Sequence, residues 1–584
     1  MTTRADQSSF DPSAARARLE NARGTVFWRS LEELADSEGF RAWLREQHPH
    51  LAETVMLDRR GFLKLLGASL ALAGLSACSH PPQTELVPYA SAPPGQVDGL
   101  PRFFATALTR NGYARGVLIE NNQGRPTKVE GNPGHPASLG ATDIFAQAAV
   151  LQLWDPDRSQ TLMHDGTTAT WDDFGAALLQ ARARFDRNDG TGLGVLTGAI
   201  TSPTLSAQID ALLKKYPNAH WHVHEPAGND GTIAGAEMAF ATPLSMRLRL
   251  DRAQVILALD ADFLTDPAGG VRYARDFAST RSPDGAHRTM SRLYAVEPTP
   301  SLTGAMADHR LPLASSRIEA FARRLAQRLG VARDAGTQSH MDAQQTRWLD
   351  AVAADLQAHG GSALVVVGSG QPAELHALGH AMNSALGAVG KTIEYSEPVQ
   401  KLPGNGGSLT DLVTAMRAGR VDTLLVLDRN PVYDAPVDLQ FADALRTVPH
   451  LVHLGLYRDE TGALAEWHLP RAHELESWSD ARAFDGTASL MQPLIAPLYH
   501  GRTPHEVLAM LLGDDLREAH ALVRRQWRTQ LPDDAAWNAA LQAGVIANTA
   551  LPPRTPKVIS GAGSPAIRGR DQDDLQASAG MELL

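Results

Sequence analysis

Three histidines alternate within residues 218–228, at His220, His222 and His224. Successive side chains of a β-strand point to opposite faces, so in a strand these imidazoles would share one face and could hold a metal ion. A polar edge strand or the rim of a loop explains the same spacing without a metal and is the plainer interpretation. The pattern therefore marks a candidate metal site, with a solvated edge as its alternative.

Two further segments have the chemistry of a ligand site, and both follow apolar runs. Asp260 and Asp262 end one run, where they could bind a ligand or cap the next element. The glycine-rich stretch 368–374 could cradle a phosphate at a helix N-terminus. Its spacing matches neither a Walker loop nor the GxGxxG fingerprint. We therefore expect capping aspartates and a tight strand-to-helix turn.

Four more histidines stand in contexts that could belong to a pocket or to the core. His135 and His309 lie in loop-like stretches near prolines, where a structural or a pocket role is possible. His468 and His473 flank a Leu-Pro-Arg-Ala stretch and are expected to pack or to form hydrogen bonds. The sequence contains neither HExxH nor GxSxG, so it indicates neither a zinc protease nor a serine hydrolase.

Short apolar runs that end in turn residues predict the strands that would position these groups. The runs lie at 192–199, 253–263, 292–298, 362–370 and 422–431. Helical patterns lie between several of them, at 170–185, 316–330, 373–387 and 411–419. This alternation predicts an α/β protein with doubly wound, mostly parallel sheets, whose functional loops follow the carboxyl ends of the strands.

The region before these runs has a different pattern. Strand-like stretches at 114–120 and 126–130 flank a turn at 121–124. We expect a small β-rich region here, ahead of the α/β domains.

A single cysteine, Cys78, limits the chemistry of the whole chain of 584 residues. It excludes intrachain disulfides, cysteine-ligated iron–sulfur clusters, zinc ribbons and covalent c-type haem. Hydrophobic residues make up 43% of the chain and charged residues 20%, which is typical of globular domains. The formal net charge of −11 argues against a strongly basic nucleic-acid binder.

An export signal is predicted at 59–78, where a basic pair precedes a short apolar run. The residues that resemble a twin-arginine signal are Arg59, Arg60, Phe62, Leu63 and Lys64. The run ends in Leu-Ser-Ala-Cys, which resembles a lipoprotein box, so Cys78 is the candidate for lipidation. The apolar run is shorter than the roughly 20 residues that a membrane-spanning helix needs. A buried helix that contains two arginines is the alternative.

Composition and pattern together divide the chain into segments. We predict an N-terminal extension at 1–58, the signal at 59–78, a linker at 79–100, a small β-rich domain at 101–160, α/β domains at 161–515 and a C-terminal helical segment and tail at 516–584.

The stretches 124–160, 428–436 and 469–498 resemble the molybdopterin oxidoreductase family, in the family's order. The resemblance implies a multidomain molybdopterin-oxidoreductase-like fold, with 101–160 as its iron–sulfur domain. In that family the fourth cluster cysteine would fall near 140–143, where this chain has Gly-Ala-Thr-Asp. The domain is therefore degenerate. A cysteine ligand to molybdenum is likewise excluded, whereas ligation by serine or aspartate stays open.

The stretches 260–281 and 290–313, with the signal behind a long extension, resemble the large subunit of bacterial alternative complex III. That branch implies a non-catalytic, structural subunit of a quinol-oxidising respiratory complex, without a cofactor of its own and with molybdopterin not expected. Implied partners are an iron–sulfur ferredoxin-like subunit, a multihaem cytochrome c and polytopic quinol-binding membrane subunits. The implied location is the periplasmic side of the inner membrane.

Two other functions remain open at this point. The chain could be an exported molybdopterin-dependent oxidoreductase without an N-terminal iron–sulfur cluster. It could instead be a periplasmic binding protein that holds a small ligand in its α/β cleft.

Overall fold

Strands between Arg102 and Met491 build the sheets of this computed structural model. It describes residues 101–559, apart from 283–289, 332–340 and Asn405, together with Ala42, Val97 and Leu100. The chain divides into two compact units, Met1–Gln96 and Val97–Leu584. All described residues except Ala42 belong to the second unit. The predicted export signal at 59–78, including Cys78, lies outside the described residues.

The strands are, in chain order, β1 Arg102–Arg110, β2 Tyr113–Asn122, β3 Arg125–Gly131, β4 Leu162–His164, β5 Thr167–Ala169, β6 Leu193–Thr197, β7 His220–Val223, β8 Ser245–Leu248, β9 Val255–Leu259, β10 Arg292–Glu297, β11 His309–Pro312, β12 Ala363–Val367, β13 Ile393–Ser396, β14 Thr423–Leu427, β15 His450–Gly455, β16 Trp467–Pro470, β17 Ser479–Arg482 and β18 Ala488–Met491.

The helices are α1 Ile144–Leu153, α2 Trp171–Asn188, α3 Pro203–Lys215, α4 Asp230–Phe240, α5 Gly270–Ser279, α6 Leu302–Ala305, α7 Ser315–Arg328, α8 Ala343–Ala358, α9 Ala373–Ala385, α10 Leu409–Arg417, α11 Pro431–Asp434, α12 Phe441–Leu445, α13 Glu460–Leu464, α14 Pro504–Leu512, α15 Ala519–Gln526 and α16 Asp534–Ala543. Short 3₁₀ turns occur at Leu250–Arg252, Val437–Leu439 and Glu474–Glu476.

An antiparallel sheet of order β1-β2-β3 forms the predicted β-rich region. Asn111 and Gly112 connect β1 to β2 with φ angles of 47° and 79°, the left-handed conformations that a two-residue hairpin turn requires. A Cβ atom at Gly112 would lie 2.2 Å from the carbonyl oxygen of Ala199. The hairpin tip therefore abuts the loop after β6, and only glycine permits that approach.

The larger α/β sheet has seven strands in the order β5-β4-β16-β15-β14-β6-β7. Strands β16, β15, β14, β6 and β7 run parallel, and β4 and β5 add an antiparallel edge. Helices α2, α3 and α14 bury one face, while α10 and α12 bury the other. Because both faces are covered, the central strands are continuous apolar runs, as the sequence predicts.

The second α/β sheet is built from chain between β7 and β14, and its parallel strands have the order β11-β10-β9-β12. Helices α7, α8 and α9 cover one face, and α4 and α5 cover the other. The predicted mixed α/β class with mostly parallel, doubly wound sheets is therefore confirmed.

Local signals explain where the helices begin. Thr170 and Asp173 form a reciprocal capping box at the start of α2, and Thr503 with Glu506 does the same for α14. Each box satisfies backbone N–H groups that a first helical turn leaves unpaired.

Arg158, five residues beyond the end of α1, forms a buried bidentate ion pair with Glu476. Its Nη2 lies 2.6 Å from Glu476 Oε2 and its Nη1 3.1 Å from Oε1, and both side chains are 1% exposed. Arg158 Nη1 also donates to the carbonyl of Leu153 at the end of α1. Glu476 in turn accepts from the backbone N–H groups of His473 and Leu498. The pair thus ties α1 to the segment after β16.

Within the part of the chain that the structure describes, no helix is both long enough and apolar enough to span a bilayer.

We predict that Glu476→Gln destabilises the fold by about 3–5 kcal/mol, because it leaves the Arg158 guanidinium buried without a counter-charge. The free energy of unfolding from urea titration monitored by circular dichroism measures this.

The matched control is Asp350→Asn, which breaks the exposed pair between Arg328 and Asp350. That change should cost less than about 1 kcal/mol. Equal losses for the two variants would contradict the role assigned to the buried pair.

Candidate functional site

A crevice forms where both α/β sheets change winding direction. In the larger sheet the loops after β6 and β14 diverge, and in the second sheet the loops after β9 and β12 diverge. Such switch points, at the carboxyl ends of parallel strands, are where open α/β sheets bind ligands. The tip of the β1–β2 hairpin lies beside the switch points of both sheets.

The space in this crevice is divided. Cavities of about 130 and 330 Å³ lie beside the loops after β6 and β14, and one of about 470 Å³ lies beside the loops after β9 and β12. Hairpin residues line all three: Gly112 the first two and Asn111 the last two.

Asp480 of β17 occupies the wall of the first cavity and is saturated with hydrogen bonds. Its carboxylate accepts from Thr204 Oγ1 at 2.6 Å, from Trp527 Nε1 at 2.7 Å and from the Ser202 hydroxyl. The hydroxyl of Thr201 next to it donates to the Gly112 carbonyl at 2.5 Å. The hydroxyls and the carboxylate that could ligate a metal here are bonded to one another.

Glu474 lies on the same wall and is partly buried against the hairpin. It accepts hydrogen bonds from the backbone N–H and the hydroxyl of Thr109. Burial raises the pKa of the Glu474 carboxyl, and nearby Arg471 opposes that shift. Arg471 itself pairs with Asp428 at 3.2 Å. This wall therefore bonds to the hairpin and to the end of β14.

Asp260 and Asp262, after β9, accept hydrogen bonds from residues of neighbouring loops and helices. Asp260 accepts from Gln371 Nε2 at 2.7 Å. Asp262 accepts from the backbone N–H of Thr303 at 2.9 Å and from its hydroxyl at 2.6 Å, which caps α6. Asp262 therefore has a capping role, but at α6, which follows β10, and not at the next element along the chain.

The glycine-rich stretch 368–374 is a tight turn from β12 into α9. A Cβ at Gly368 would lie 1.7 Å from the Asp260 carbonyl oxygen, so the two loops touch through backbone. Gln371 N–H donates to the Gly368 carbonyl at 3.0 Å and closes the turn. The expected strand-to-helix turn is confirmed.

Three buried polar atoms of the crevice lack a hydrogen-bond partner: Arg429 Nε, Arg471 Nε and Glu225 Oε2. Arg429 Nη1 reaches the other oxygen of Glu225 at 3.2 Å. Unpaired guanidinium nitrogens fit an anionic group.

The crevice does not fit a molybdenum-bearing pterin as well as it fits a small anion. Three of the serine and aspartate side chains on its walls, Ser202, Asp480 and Asp428, are paired within the protein. Across the described ranges, no group of three or more His, Cys, Asp or Glu side chains could hold a metal ion.

The segment that the family resemblance assigns to the fourth cluster cysteine is packed against β3. A Cβ at Gly131 would meet the Ala141 carbonyl oxygen at 2.1 Å. Asp143 caps α1 by accepting from the Ala146 N–H at 2.9 Å, and it pairs with Arg115. At the end of the segment where the resemblance places the fourth cysteine, the chain therefore has Asp143, paired with the buried Arg115.

His468 and His453 form a stacked, buried pair that the sequence analysis only half identified. Their Nδ1 atoms are 3.0 Å apart. His453 Nε2 lies 3.2 Å from the Arg429 carbonyl, which can only accept, so this nitrogen carries the proton. His453 Nδ1 must then accept from His468 Nδ1–H, and His468 Nε2 accepts from Ser159 Oγ at 2.6 Å. Both rings are neutral, with their tautomers fixed.

The other histidines considered in the sequence analysis lie apart from one another, each with its own contacts. His135 is buried, with Nε2 3.1 Å from Ser489 Oγ, and His473 accepts from the Leu475 N–H at 3.1 Å. His309 is exposed and stacks on Tyr294.

The alternating histidines lie on β7 and just beyond it. His220 and His222 belong to the strand, with ring centroids 6.2 Å apart. His224 follows the strand, and its Nε2 pairs with Asp434 Oδ1 at 2.9 Å. The structure therefore brings two of the three histidines together, at the edge of the larger sheet.

Asp480, Glu474, Arg429 and His453 were missed as crevice residues by the sequence analysis. Nothing local marks Asp480, because Thr204 and Trp527 are 276 and 47 residues away along the chain. Arg429 does have a signal, since it follows an apolar strand that ends in turn residues.

Comparison with known proteins identifies the fold. No protein-family model matches the chain, and no curated protein matches it. Among solved structures it is similar to acetylene hydratase from Pelobacter acetylenicus, with 12% sequence identity, a TM-score of 0.52, and coverage of 74% of this chain and 70% of that one. The likeness shows that the chain shares the multidomain α/β fold of that protein. Membership of the alternative complex III branch stays a prediction.

We predict that stability falls as the pH drops below about 6.5. Burial lowers the pKa of His468 to about 3, helped by His453 and Arg458. Burial likewise lowers the pKa of His473 to about 3, helped by Arg158 and Arg471. At pH 5 these histidines are protonated in the unfolded chain but not in the native one. Each therefore lowers the free energy of unfolding by about 2 kcal/mol at that pH.

Urea titrations at pH 7.5, 6 and 5 measure this slope, and His468→Gln should reduce it. A free energy of unfolding that is constant over this range would contradict neutral buried histidines.

Proposed function

We propose that this chain is a non-catalytic, structural subunit of a membrane-associated respiratory quinol oxidoreductase of the alternative complex III type. The observation that carries the proposal is that polar side chains lining the crevice are hydrogen-bonded within the protein. Ser202, Asp480 and Glu474, three groups that could act on a substrate or hold a metal, are bonded to the protein itself. Their bonds hold the hairpin, the loop after β6 and the end of α15 in place.

A second observation supports a role in assembly. Helix α1 has only two polar residues, Gln147 and Gln152, among its ten. Ala146, Val150 and Leu153 are buried against the small sheet, while Ile144 and Leu151 are 76% and 75% exposed. A helix that is apolar on all sides is normally buried. This exposed face therefore suits a partner protein.

The rim of the α1 face is basic and aromatic. The Arg110 guanidinium lies 4.1 Å from the Phe145 ring centroid, and that of Arg125 lies 5.0 Å from the Trp154 ring centroid. Aromatic and arginine side chains around an apolar centre are typical of protein interfaces. We propose the iron–sulfur ferredoxin-like subunit as the partner here. The multihaem cytochrome c and the polytopic quinol-binding subunits complete the complex.

In this proposal electrons pass through clusters and haems on the partner subunits, beside this chain. The predicted twin-arginine signal at 59–78 would export it, and lipidation of Cys78 would keep it on the periplasmic side of the inner membrane.

One observation favours a second candidate function, an exported molybdopterin-dependent oxidoreductase without an N-terminal cluster. Arg429 Nε and Arg471 Nε are buried beside the crevice without a hydrogen-bond partner, although each guanidinium also pairs with a carboxylate. Such free N–H groups suit an anionic cofactor. The paired carboxylates and hydroxyls oppose it.

We predict that the full-length chain, isolated from its native membranes in mild detergent, carries neither molybdenum nor tungsten in stoichiometric amount. Iron and haem should co-purify on other subunits. Elemental analysis, pterin extraction and identification of the subunits by mass spectrometry measure this. One molybdenum atom per chain with extractable pterin would replace the first function with the second.

We predict that Leu151→Asp on α1 releases the ferredoxin-like subunit from the isolated complex, because it places a charge in an apolar interface. Leu179→Asp on α2 is the matched control, since Leu179 is also exposed, at 62%. Quantitative mass spectrometry of the purified complexes compares the two. If both variants keep the subunit, the α1 face is not its docking site.

A further inference from the structure

We propose that His220 and His222 form a two-histidine binding site for a divalent transition-metal ion of the copper or zinc type. The proposal goes beyond the structural function above and is independent of it. The site lies at the opposite end of the larger sheet from the crevice, and no residue of the crevice contributes to it.

The histidines line a groove at the amino ends of β6, β7 and β14, between α2 and α10. Its cavity of about 1050 Å³ is the largest of those described above. The charged residues that line it are Arg184, Arg420, Asp411 and Asp422, so its charges balance. Arg184 and Asp422 pair with each other at 3.7 Å. The groove is wide enough for a hydrated ion and its two imidazole ligands.

His222 is oriented as a metal ligand would be. The residue is buried, with an exposure of 3%. Its Nδ1 lies 3.1 Å from the Ser408 carbonyl oxygen, which can only accept, so Nδ1 carries the proton. Nε2 then holds a lone pair, and no hydrogen-bond partner for it occurs among the described residues. Histidine ligands are commonly fixed in this way, by a backbone carbonyl on the other nitrogen.

His220 supplies the second nitrogen. It is two residues away on the same strand, so its side chain leaves the same face. With metal–nitrogen bonds of about 2.0–2.1 Å, two imidazoles on one ion have ring centroids up to about 6.4 Å apart. The observed 6.2 Å is within that reach. The His220 side chain is exposed and can rotate to close the angle.

The chemistry of the ligands selects the ion. Imidazole nitrogens suit copper, nickel and zinc, with Cu²⁺ binding most tightly. Calcium and magnesium require oxygen ligands and are not expected. Water molecules would complete the coordination of the ion. Asp411 lines the same groove, and its carboxylate accepts a hydrogen bond from the backbone N–H of Ser408 at 3.2 Å. His224 takes no part, because its Nε2 is paired with Asp434.

The test uses the untagged full-length protein, titrated with CuCl₂, ZnCl₂ and CaCl₂ by isothermal calorimetry. We expect one equivalent of Cu²⁺ and a weaker equivalent of Zn²⁺, without heat from Ca²⁺. His220→Ala should weaken Cu²⁺ binding at least tenfold. His309→Ala, which removes an exposed histidine of the second sheet, is the matched control and should bind as the wild type does.

Electron paramagnetic resonance of the Cu²⁺ complex gives a readout independent of affinity. The wild-type spectrum should show hyperfine coupling to two imidazole nitrogens, and His220→Ala should show one fewer. His222→Gln, checked for folding by circular dichroism, should lose the site. An unchanged spectrum and an unchanged dissociation constant in His220→Ala would overturn the proposal.

Discussion

The buried ion pair of Arg158 and Glu476 is the interaction on which the arrangement of the other parts depends. It fastens the end of α1 to the segment after β16, and Glu476 also orders the backbone at His473 and Leu498. A buried charge is tolerated only when its partner is held in place. The pair therefore holds this segment against the end of α1.

That segment forms one wall of the crevice. Two residues before Glu476, Glu474 reaches the hairpin through Thr109, and four residues after it, Asp480 gathers Trp527 and the loop after β6. The loops that would hold a ligand in an α/β enzyme are bonded to neighbouring protein instead. Their shared hydrogen bonds make the site rigid, and this supports our proposal of a structural role for an enzyme-like fold.

The sequence predicts the sheets well and the crevice poorly, for one physical reason. Buried parallel strands such as β9 and β14 are continuous apolar runs, so their pattern is local. The bonds of Asp480 join residues up to 276 positions apart, and no local pattern records them. The alternation at His220 and His222 predicts a shared face correctly, but β7 ends at Val223, so His224 lies elsewhere. The export signal and Cys78 stay predictions.

The most direct measurement is a cryo-electron microscopy map of the complex isolated from native membranes. Our account predicts clear side-chain density for Asp480, Ser202 and Trp527 in mutual contact, with a partner subunit seated on α1. It also predicts a crevice without a pterin. Pterin-shaped density between Arg429 and Arg471, with a metal ion beside it, would contradict the account.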